Sequence, residues 1–406
     1  MKMVMRIIGT AISVLLLTLN LHTAALISVH NITTFYGVYP YNNPEYEILP
    51  SGCITDPVLD PARDPERQPE TSGLTEEHVT LDNGQEYPLE SEDLPQTQTE
   101  EEVTDLSGPI RTSLPEIDLL DLSYISFKKE VHAIIDGARK FSGIKTPVGV
   151  FVMDLTSNYY TGVNDTRTRI DPEDGAREGY FNSASVIKLF QGYILYDMLR
   201  HGELDEDMIY TDRVTGWSFK LVDMIHTMIS RSDNNYSNAC LRLVGNTKSN
   251  EVLARLGITD SVIYGEMSGA IGYSLRNNLE NYGTTKRCAR ITPRDAGLIL
   301  YNVYINKDSD PYMASMNRAL LDNIYNTRIP VGVKKVDKGY EIAHKTGTNS
   351  SLGVYNDAGI VYGKRPFILV AFTQGTTSEA GHTFIRKLAQ DLTSYFDSIV
   401  MGGGTA

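Results

Sequence analysis

The order of hydrophobic patterns in the C-terminal part of the chain constrains its fold more than any other feature. Apolar residues recur at helical spacing over 126–141, and a long, mostly helical region spans 185–326 before a last helix at 378–399. Strand-like runs lie at 148–155 and 158–163 before the helical region, and at 340–344, 353–362 and 367–373 after it. This order predicts an α/β fold, with an antiparallel sheet built from both ends of one domain and a helical subdomain inserted between them. We place this domain at residues 119–406.

The first 30 residues have the composition of a segment that enters a membrane. Lys2 and Arg6 precede an apolar run from residue 7 to about residue 29, and about 20 apolar residues suffice for a helix to cross a bilayer. Basic residues ahead of such a run favour an orientation in which the rest of the chain leaves the cytoplasm. The sequence therefore predicts a single-pass membrane anchor over residues 1–30, or a secreted protein if the segment is cleaved after Ala25.

The acidic charge of the chain is concentrated in one stretch. The formal net charge is −14, and residues 45–122 contain 21 Asp and Glu against three Arg. This stretch has many Pro, Ser and Thr residues and no hydrophobic period, so residues 31–118 are predicted to form an acidic, disordered spacer. The rest of the chain is nearly neutral. We therefore expect no binding to nucleic acid, which needs a basic surface to neutralise phosphates.

The spacing of cysteine and histidine supports neither a metal site nor a disulfide framework. The three cysteines form no C-x-x-C pair, and the eight histidines form no H-x-H or H-E-x-x-H string. We expect no metal ion and no other cofactor.

The first of three short strings with chemical significance contains a potential nucleophile. Ser185 and Lys188 lie three residues apart at a predicted helix start, so they share one helix face and the lysine amine can reach the serine hydroxyl. A serine hydroxyl becomes a nucleophile when a neighbouring base takes its proton, and a desolvated lysine can act as that base. Two further S-x-x-K strings, at 126–129 and 142–145, are interpreted as chance.

The second string is Ser232-Asp233-Asn234, which follows an apolar helical pattern. The hydroxyl of Ser232 can pass a proton to a leaving nitrogen, and the amide of Asn234 can orient an acyl group. Taken alone, the string suits a helix cap at least as well, because Ser, Asp and Asn all favour that position.

The third string is Lys345-Thr346-Gly347-Thr348, at the end of a predicted strand. Lys345 and Thr346 offer a cation and a hydroxyl to a carboxylate. Gly347 allows a ligand to approach the backbone, so that the next N–H can stabilise an oxyanion. The alternative is an ordinary exposed strand with a glycine bulge.

In this order, the three strings resemble the set shared by class A β-lactamases and penicillin-binding proteins. The resemblance is closest to the class A β-lactamase catalytic domain and covers roughly residues 123–400, including Ile291-Thr292-Pro293-Arg294-Asp295. It implies a serine hydrolase that opens the amide of a β-lactam through an acyl-serine intermediate.

The resemblance also implies a role for each matching residue. Ser185 is the acylated nucleophile, Lys188 its base or proton relay, and Ser232 the group that protonates the departing nitrogen. The backbone N–H groups of Ser185 and Thr348 form the oxyanion hole. The implied substrate-binding residues are Asn234, Lys345, Thr346, Gly347 and Thr348.

One departure from the class A pattern concerns the clearing of the acyl-enzyme. Class A enzymes carry an E-x-x-L-N string whose glutamate activates the water that hydrolyses this intermediate, and no such string occurs in this chain. Glu280 is the nearest candidate for a catalytic base and Glu266 a poorer one. A solvated loop carboxylate is an equally good interpretation of either residue.

Two alternatives to a β-lactamase therefore stay open. One is a D,D-peptidase or transpeptidase that acts on peptidoglycan stem peptides with the same residues. The other is a β-lactam-binding domain without turnover. The implied partners are a β-lactam or a stem peptide, together with the membrane reached by the N-terminal segment, and the natural setting is a bacterial cell envelope.

Overall fold

The computed structural model describes residues 110–166, 181–284 and 288–402. The predicted membrane anchor, and the predicted spacer up to residue 109, lie outside these residues. Over the described ranges, no helix combines the length and the apolar composition needed to cross a bilayer.

Helices and short strands alternate in the middle of the described chain, and long strands lie towards both ends. The helices are α1 (Leu122–Ser142), α2 (Ile187–Arg200), α3 (Leu221–Ser230), α4 (Asn234–Val244), α5 (Asn246–Arg255), α6 (Leu275–Tyr282), α7 (Pro293–Asn306), α8 (Pro311–Leu321), α9 (Ile329–Val333) and α10 (Ser378–Gly402). The strands are β1 (Val148–Asp154), β2 (Tyr160–Val163), β3 (Phe181–Asn182), β4 (Ile209–Thr211), β5 (Ser218–Lys220), β6 (Val262–Ile263), β7 (Ala289–Ile291), β8 (Glu341–Asn349), β9 (Val354–Tyr362) and β10 (Phe367–Thr373).

The main sheet confirms the predicted fold class. Its strand order is β2-β1-β10-β9-β8, and each neighbouring pair is antiparallel. The first and the last strands of the domain therefore pair directly, through β1 and β10. The strand β8 lies at one edge of this sheet.

Both faces of the main sheet are covered, which explains why the paired strands β1 and β10 are almost continuously apolar rather than alternating. On β1, Phe151 and Met153 point into a core shared with α2 and α3, whereas Val150 and Val152 point towards α1 and α10. The inserted helical region packs on the first face, and the two terminal helices pack on the second.

The first helix starts earlier than its hydrophobic period predicts. Asp121 accepts a hydrogen bond from the backbone N–H of Ser123 and caps α1, which ends at Gly143 with a φ of 67°. Its buried side chains are Tyr124, Phe127, Val131, Ile135 and Ala138. The hydrophobic period predicted the stripe from Phe127 to Ala138 except for Ile134, which is half-buried, and it did not include Tyr124, which lies near the capped start of the helix.

The inserted region is mostly helical, as predicted, but it also contains short strands. β3, β7 and β6 form a three-stranded sheet, and β4 and β5 form a hairpin. Each of these strands has two or three residues, so none is long enough to show an alternating hydrophobic pattern.

Residues 110–118, the described part of the predicted spacer, contact the domain. The backbone N–H of Arg111 donates to Asn302 Oδ1 at 2.8 Å, and Asn302 Nδ2 donates to the Arg111 carbonyl at 2.8 Å. Ile110, Leu114 and Ile117 pack against the two hydrophobic cores. This segment is therefore held by the domain although its composition resembles that of the spacer.

Candidate active site

The segment that carries Ser185 is a tight turn between a short strand and a long helix. β3 leads into a 3₁₀ turn at Ala184–Val186, and α2 follows at once. The backbone N–H of Ala184, whose φ is 42°, donates to Asn182 Oδ1 at 2.9 Å. This turn places the partly exposed Ser185 at the start of α2, one turn before Lys188.

Lys188 is fully buried and has three oxygen neighbours. Its Nζ donates to Ser185 Oγ at 2.9 Å, to the Ser232 carbonyl at 2.9 Å and to Asn234 Oδ1 at 2.7 Å. Burial disfavours the charged amine and lowers the pKa of Lys188 to about 7. A neutral amine is therefore accessible beside Ser185 near neutral pH, and this amine can accept the serine proton.

Ser232 connects this lysine with a second one. It lies between α3 and α4 in the left-handed region, with a φ of 57°, a conformation that costs a non-glycine residue roughly 1–3 kcal/mol. Its carbonyl faces Lys188, and its Oγ accepts a hydrogen bond from Lys345 Nζ at 2.9 Å. Asp233 caps α4 by accepting from the N–H groups of Asn235 and Tyr236. The cap interpretation is therefore correct for the middle residue of this string, whereas Ser232 and Asn234 point to the lysines.

The third string lies inside a strand rather than after one. The predicted strand ends at His344, but β8 continues to Asn349. Lys345 is fully buried, and Thr346 is 3% exposed. Besides Ser232, Lys345 Nζ reaches the Thr346 carbonyl at 3.0 Å. Because β8 pairs with β9 along one side only, its other side is available to the turn that carries Ser185.

Gly347 lies where β8 comes close to the turn at Ala184–Val186, which carries Ser185 and which we call the nucleophile turn. A Cβ at this position would lie 2.7 Å from the Ser183 carbonyl oxygen and 3.0 Å from the Val186 nitrogen. Any side chain would therefore push the turn away from the strand. The glycine admits the backbone of the protein itself, as well as any ligand.

A buried arginine, which sequence reasoning missed, contacts the same strand. Arg328 is fully buried; its Nη2 donates to Thr348 Oγ1, and its Nη1 donates to the Asn356 carbonyl at 3.0 Å. With Lys188 and Lys345, it gives the site three buried cationic side chains. Nothing in the polar sequence before α9 distinguishes Arg328 from a surface residue.

The sequence pattern of the beta-lactamase enzyme family matches residues 126–396. The chain belongs to this family. A search among curated proteins returned no match. Among solved structures, PBP-A has a TM-score of 0.55 at 18% identity, covering 70% of this chain and 100% of PBP-A. A beta-lactamase from Sphaerobacter thermophilus has a TM-score of 0.53 at 21% identity, covering 66% of this chain and 98% of that one.

A beta-lactamase from Xanthomonas campestris also shares the fold. Its TM-score is 0.52 at 16% identity, over 66% of this chain and 97% of that one. At these identities, the likeness shows a common beta-lactamase/transpeptidase fold. What this member of the beta-lactamase family does depends on its own site.

Glu280 is not brought into this cluster. It lies on α6 with a side chain that is 57% exposed, and its carboxylate forms an ion pair with Arg276 at 2.7 Å. In the described residues, no hydrogen bond joins it to Ser185, Lys188 or Ser232. The catalytic role predicted for Glu280 stays a prediction, and the exposed ion pair argues against it.

Glu266 is buried, but it belongs to a different cluster. Its carboxylate lies 3.0 Å from Arg242 Nη1 and accepts a hydrogen bond from the Tyr282 hydroxyl at 3.1 Å. Arg242 is also paired with the fully buried Asp212 at 2.6 Å. Arg242 therefore balances two carboxylates, one of which is Glu266.

The backbone of the loop that contains Glu266 is nevertheless fastened to α4. Asn238 Nδ2 donates to the Met267 carbonyl at 2.9 Å, and the Met267 N–H donates to Asn238 Oδ1 at 2.7 Å. Asn234 Nδ2 donates to the Ser268 carbonyl at 3.1 Å. Asn234 and Asn238 are four residues apart on one helix face, a spacing that could have identified this contact from the sequence.

Proposed function

We propose that this domain is a serine acyl-transfer enzyme that opens the amide of a β-lactam through an acyl-Ser185 intermediate. The observation that carries the proposal is the fully buried Lys188, whose pKa is about 7 and whose Nζ lies 2.9 Å from Ser185 Oγ. The neutral amine takes the serine proton as Oγ bonds to the carbonyl carbon. A base at this position is worth about 10²–10⁴ in rate.

The negative charge that develops on the carbonyl oxygen is stabilised by two backbone donors. In our proposal these are the N–H groups of Ser185 and Thr348, on opposite sides of the contact at Gly347. The loss of one such donor typically reduces the rate about 10²–10³-fold.

The C–N bond of the tetrahedral intermediate then breaks, and the nitrogen needs a proton. Ser232 supplies it, because its Oγ accepts a hydrogen bond from Lys345 Nζ at 2.9 Å while its carbonyl binds Lys188. The cation beside Ser232 favours loss of the hydroxyl proton. The proton taken by Lys188 can restore it.

The same strand binds the substrate. Lys345 and Thr346 hold the substrate carboxylate, next to Gly347, and Asn234 contacts the acyl side chain. The fully buried cationic side chain of Lys345, whose Nζ lies 2.9 Å from Ser232 Oγ, favours an anionic ligand at this end of the site. A variant of PBP-A with the same fold forms an acyl-enzyme complex with penicillin G, which supports a β-lactam as the probe.

A second candidate function is that of a D,D-peptidase or transpeptidase acting on peptidoglycan stem peptides. The observation that favours it is the engagement of Glu266 by Arg242 and of Glu280 by Arg276. Because both carboxylates are engaged in ion pairs, we infer that neither of them activates the water for hydrolysis. We infer that the acyl group forms readily on Ser185 and leaves slowly.

One experiment separates these functions. The full chain and its Ser185→Ala variant are incubated with a chromogenic β-lactam while colour and protein mass are followed. Turnover that is lost in Ser185→Ala supports a β-lactamase. A stoichiometric mass adduct without turnover supports the peptidase or a binding domain, and release of the terminal D-alanine from a stem peptide distinguishes these two. The absence of both adduct and turnover would overturn the acylation mechanism.

We also propose that the domain acts outside the cytoplasm, tethered by residues 1–30 through the acidic spacer. This proposal rests on the sequence alone, since these segments lie outside the described residues. Membrane fractionation of cells that express the full chain tests it. Recovery of the intact chain in the cytosolic fraction would contradict it.

A further inference from the structure

The two proposed oxyanion donors belong to different elements. The Ser185 N–H lies in the 3₁₀ turn and the Thr348 N–H lies in β8, so their separation depends on how the turn is held against the strand. We propose that Asn356 is a positioning residue that sets this separation. The inference rests on the proposed function, because it concerns the geometry of the acylation step.

Asn356 lies directly across from Gly347, the residue at which β8 approaches the turn that carries Ser185. It is the residue of β9 that pairs with Gly347 of β8, and it is fully buried. Its Nδ2 donates to the Asn182 carbonyl at 2.8 Å and to the Ser183 carbonyl at 3.3 Å. These are the two residues that lead into the nucleophile turn.

Gly347 and Asn356 act on the same carbonyl group. A Cβ on Gly347 would lie 2.7 Å from the Ser183 oxygen, so the glycine allows the approach that the Asn356 amide then holds. The Ser183 carbonyl also accepts from the Val186 N–H at 3.1 Å, which closes the turn around Ser185. A shift of this carbonyl therefore moves Ser185 relative to β8.

Asn356 is also connected to the other side of the oxyanion hole. Its backbone carbonyl accepts from Arg328 Nη1 at 3.0 Å, and Arg328 Nη2 donates to Thr348 Oγ1. The side chain of Asn356 thus contacts the turn that carries Ser185. Its backbone carbonyl binds Arg328, which in turn binds Thr348, the residue that carries the second N–H donor.

The chemistry of the site requires a primary amide. Asn356 Oδ1 accepts from the Thr373 N–H at 3.1 Å while its Nδ2 donates to the two carbonyls. Asn and Gln carry two N–H donors and an acceptor on one planar amide, and Gln is one methylene longer. An ionised aspartate would keep the acceptor, lose both N–H donors and place an oxygen against two carbonyl oxygens, and a protonated aspartate would still lose one of the two donors.

The protein contains a matched control for this substitution. Asn302 is also fully buried. Its Nδ2 donates to the carbonyls of Arg111 at 2.8 Å and Leu298 at 3.2 Å, and its Oδ1 accepts from the Arg111 N–H at 2.8 Å. Asn302→Asp removes the same set of hydrogen bonds at a site that holds the N-terminal segment rather than the nucleophile turn.

The test compares Asn356→Asp with Asn302→Asp in the full chain. Acylation by a chromogenic β-lactam is followed by rapid-quench mass spectrometry over a range of concentrations, which separates the limiting acylation rate constant from the apparent dissociation constant. Melting temperatures are measured in parallel. We expect Asn356→Asp to lower the limiting rate constant about 10²-fold, as a displacement of about 1 Å does at reacting groups, and to change the dissociation constant less than about threefold. For Asn302→Asp we expect a rate constant within about twofold of wild type.

The outcomes separate this inference from the proposed function. A wild-type chain that forms no adduct overturns the proposed function and the positioning role with it. If the wild-type chain acylates and Asn356→Asp acylates equally fast, the positioning role alone is overturned. The same conclusion follows if Asn302→Asp acylates as slowly as Asn356→Asp. If Asn356→Asp does not fold, Asn356→Ala removes the donor without adding a charge. A limiting rate constant within twofold of wild type in that variant would be equally decisive against the role.

Discussion

Two regions that flank Asn234 differ in the groups that surround their buried charged side chains. In the acylation cluster, defined by Ser185, Lys188, Ser232 and Lys345, both lysines are fully buried, and Lys188 donates to hydroxyl, carbonyl and amide oxygens. In the neighbouring loop cluster, defined by Arg242, Asp212 and Glu266, every charge has an opposite partner. The first arrangement is poised for chemistry and the second for stability.

The contrast follows from desolvation. A buried amine without a carboxylate partner loses its proton more easily, and burial accordingly lowers the pKa of Lys188 to about 7. Arg242 experiences the same desolvation, but its hydrogen bonds to Asp212 and Glu266 outweigh it and raise its pKa. Glu266, the buried carboxylate of the loop between β6 and α6, is thus used to stabilise an arginine.

The largest effect is expected from Lys188→Met. Methionine has nearly the same length and no amine, so the fold keeps its packing while Ser185 loses its base. We expect the rate of acylation by a β-lactam to fall about 10²–10⁴-fold, measured as the appearance of the mass adduct. A variant that acylates within tenfold of wild type would show that another group takes the serine proton.

The next effect concerns stability and tests the loop cluster. In Arg242→Met, Asp212 and Glu266 remain buried without their cation, and removing one partner of a buried ion pair costs about 3–5 kcal/mol. We expect the free energy of unfolding to fall by this amount in urea titrations. The double variant Arg242→Met, Glu266→Gln, which also removes one of the two unpaired charges, serves as the control and should recover part of the loss.

If Arg242→Met is as stable as wild type, the charges of the loop cluster are not held as we describe. If it is destabilised but acyl-Ser185 is now hydrolysed faster, the arginine is what keeps Glu266 away from the acyl group. Either result would contradict the contrast between the acylation cluster and the loop cluster.

A smaller effect is expected from pH. Because the neutral form of Lys188 is the base, acylation should fall about tenfold per pH unit well below pH 7 and reach a plateau above it. The pKa of Lys188 is about 7 in the folded chain, against 10.5 for an ordinary lysine, so the unfolded chain binds more protons between these values. The contribution of this group to the free energy of unfolding therefore rises with pH between about 7 and 10.5.

Both parts of this prediction have a direct check. The acylation rate constant is measured between pH 5.5 and pH 9, and a rate constant that still rises about tenfold per pH unit at pH 9 would place the base elsewhere. The pH dependence of unfolding is compared between wild type and Lys188→Met. The two curves should diverge as the pH falls from about 10.5 to about 7 and run parallel below pH 7, where wild type bears the full cost of a buried ammonium.

The fold and the acylation cluster could be predicted from the sequence because both depend largely on local patterns. The strands of the main sheet and the spacing of Ser185 and Lys188 are local patterns, and the order of the three strings limits how they can meet. Arg328 and Asn356 were missed because their roles depend on strand register and on burial at sequence-distant contacts. Asn356 faces Gly347 only once β8 and β9 are paired, and no short-range pattern records this.

The sequence identifies the deacylating base less clearly than it identifies the nucleophile. Among the predicted changes, Glu280→Gln has the smallest expected effect. Glu280 is 57% exposed and paired with Arg276 on the surface of α6, so its removal should change the lifetime of acyl-Ser185 less than about twofold, as expected for a surface substitution away from the site. The lifetime is measured by the decay of the mass adduct after excess β-lactam is removed. Arg276→Gln, which frees the carboxylate instead of removing it, is the matched control. A lifetime prolonged tenfold or more in Glu280→Gln, but not in Arg276→Gln, would mean that α6 moves towards the acyl group and that the two regions cooperate in turnover.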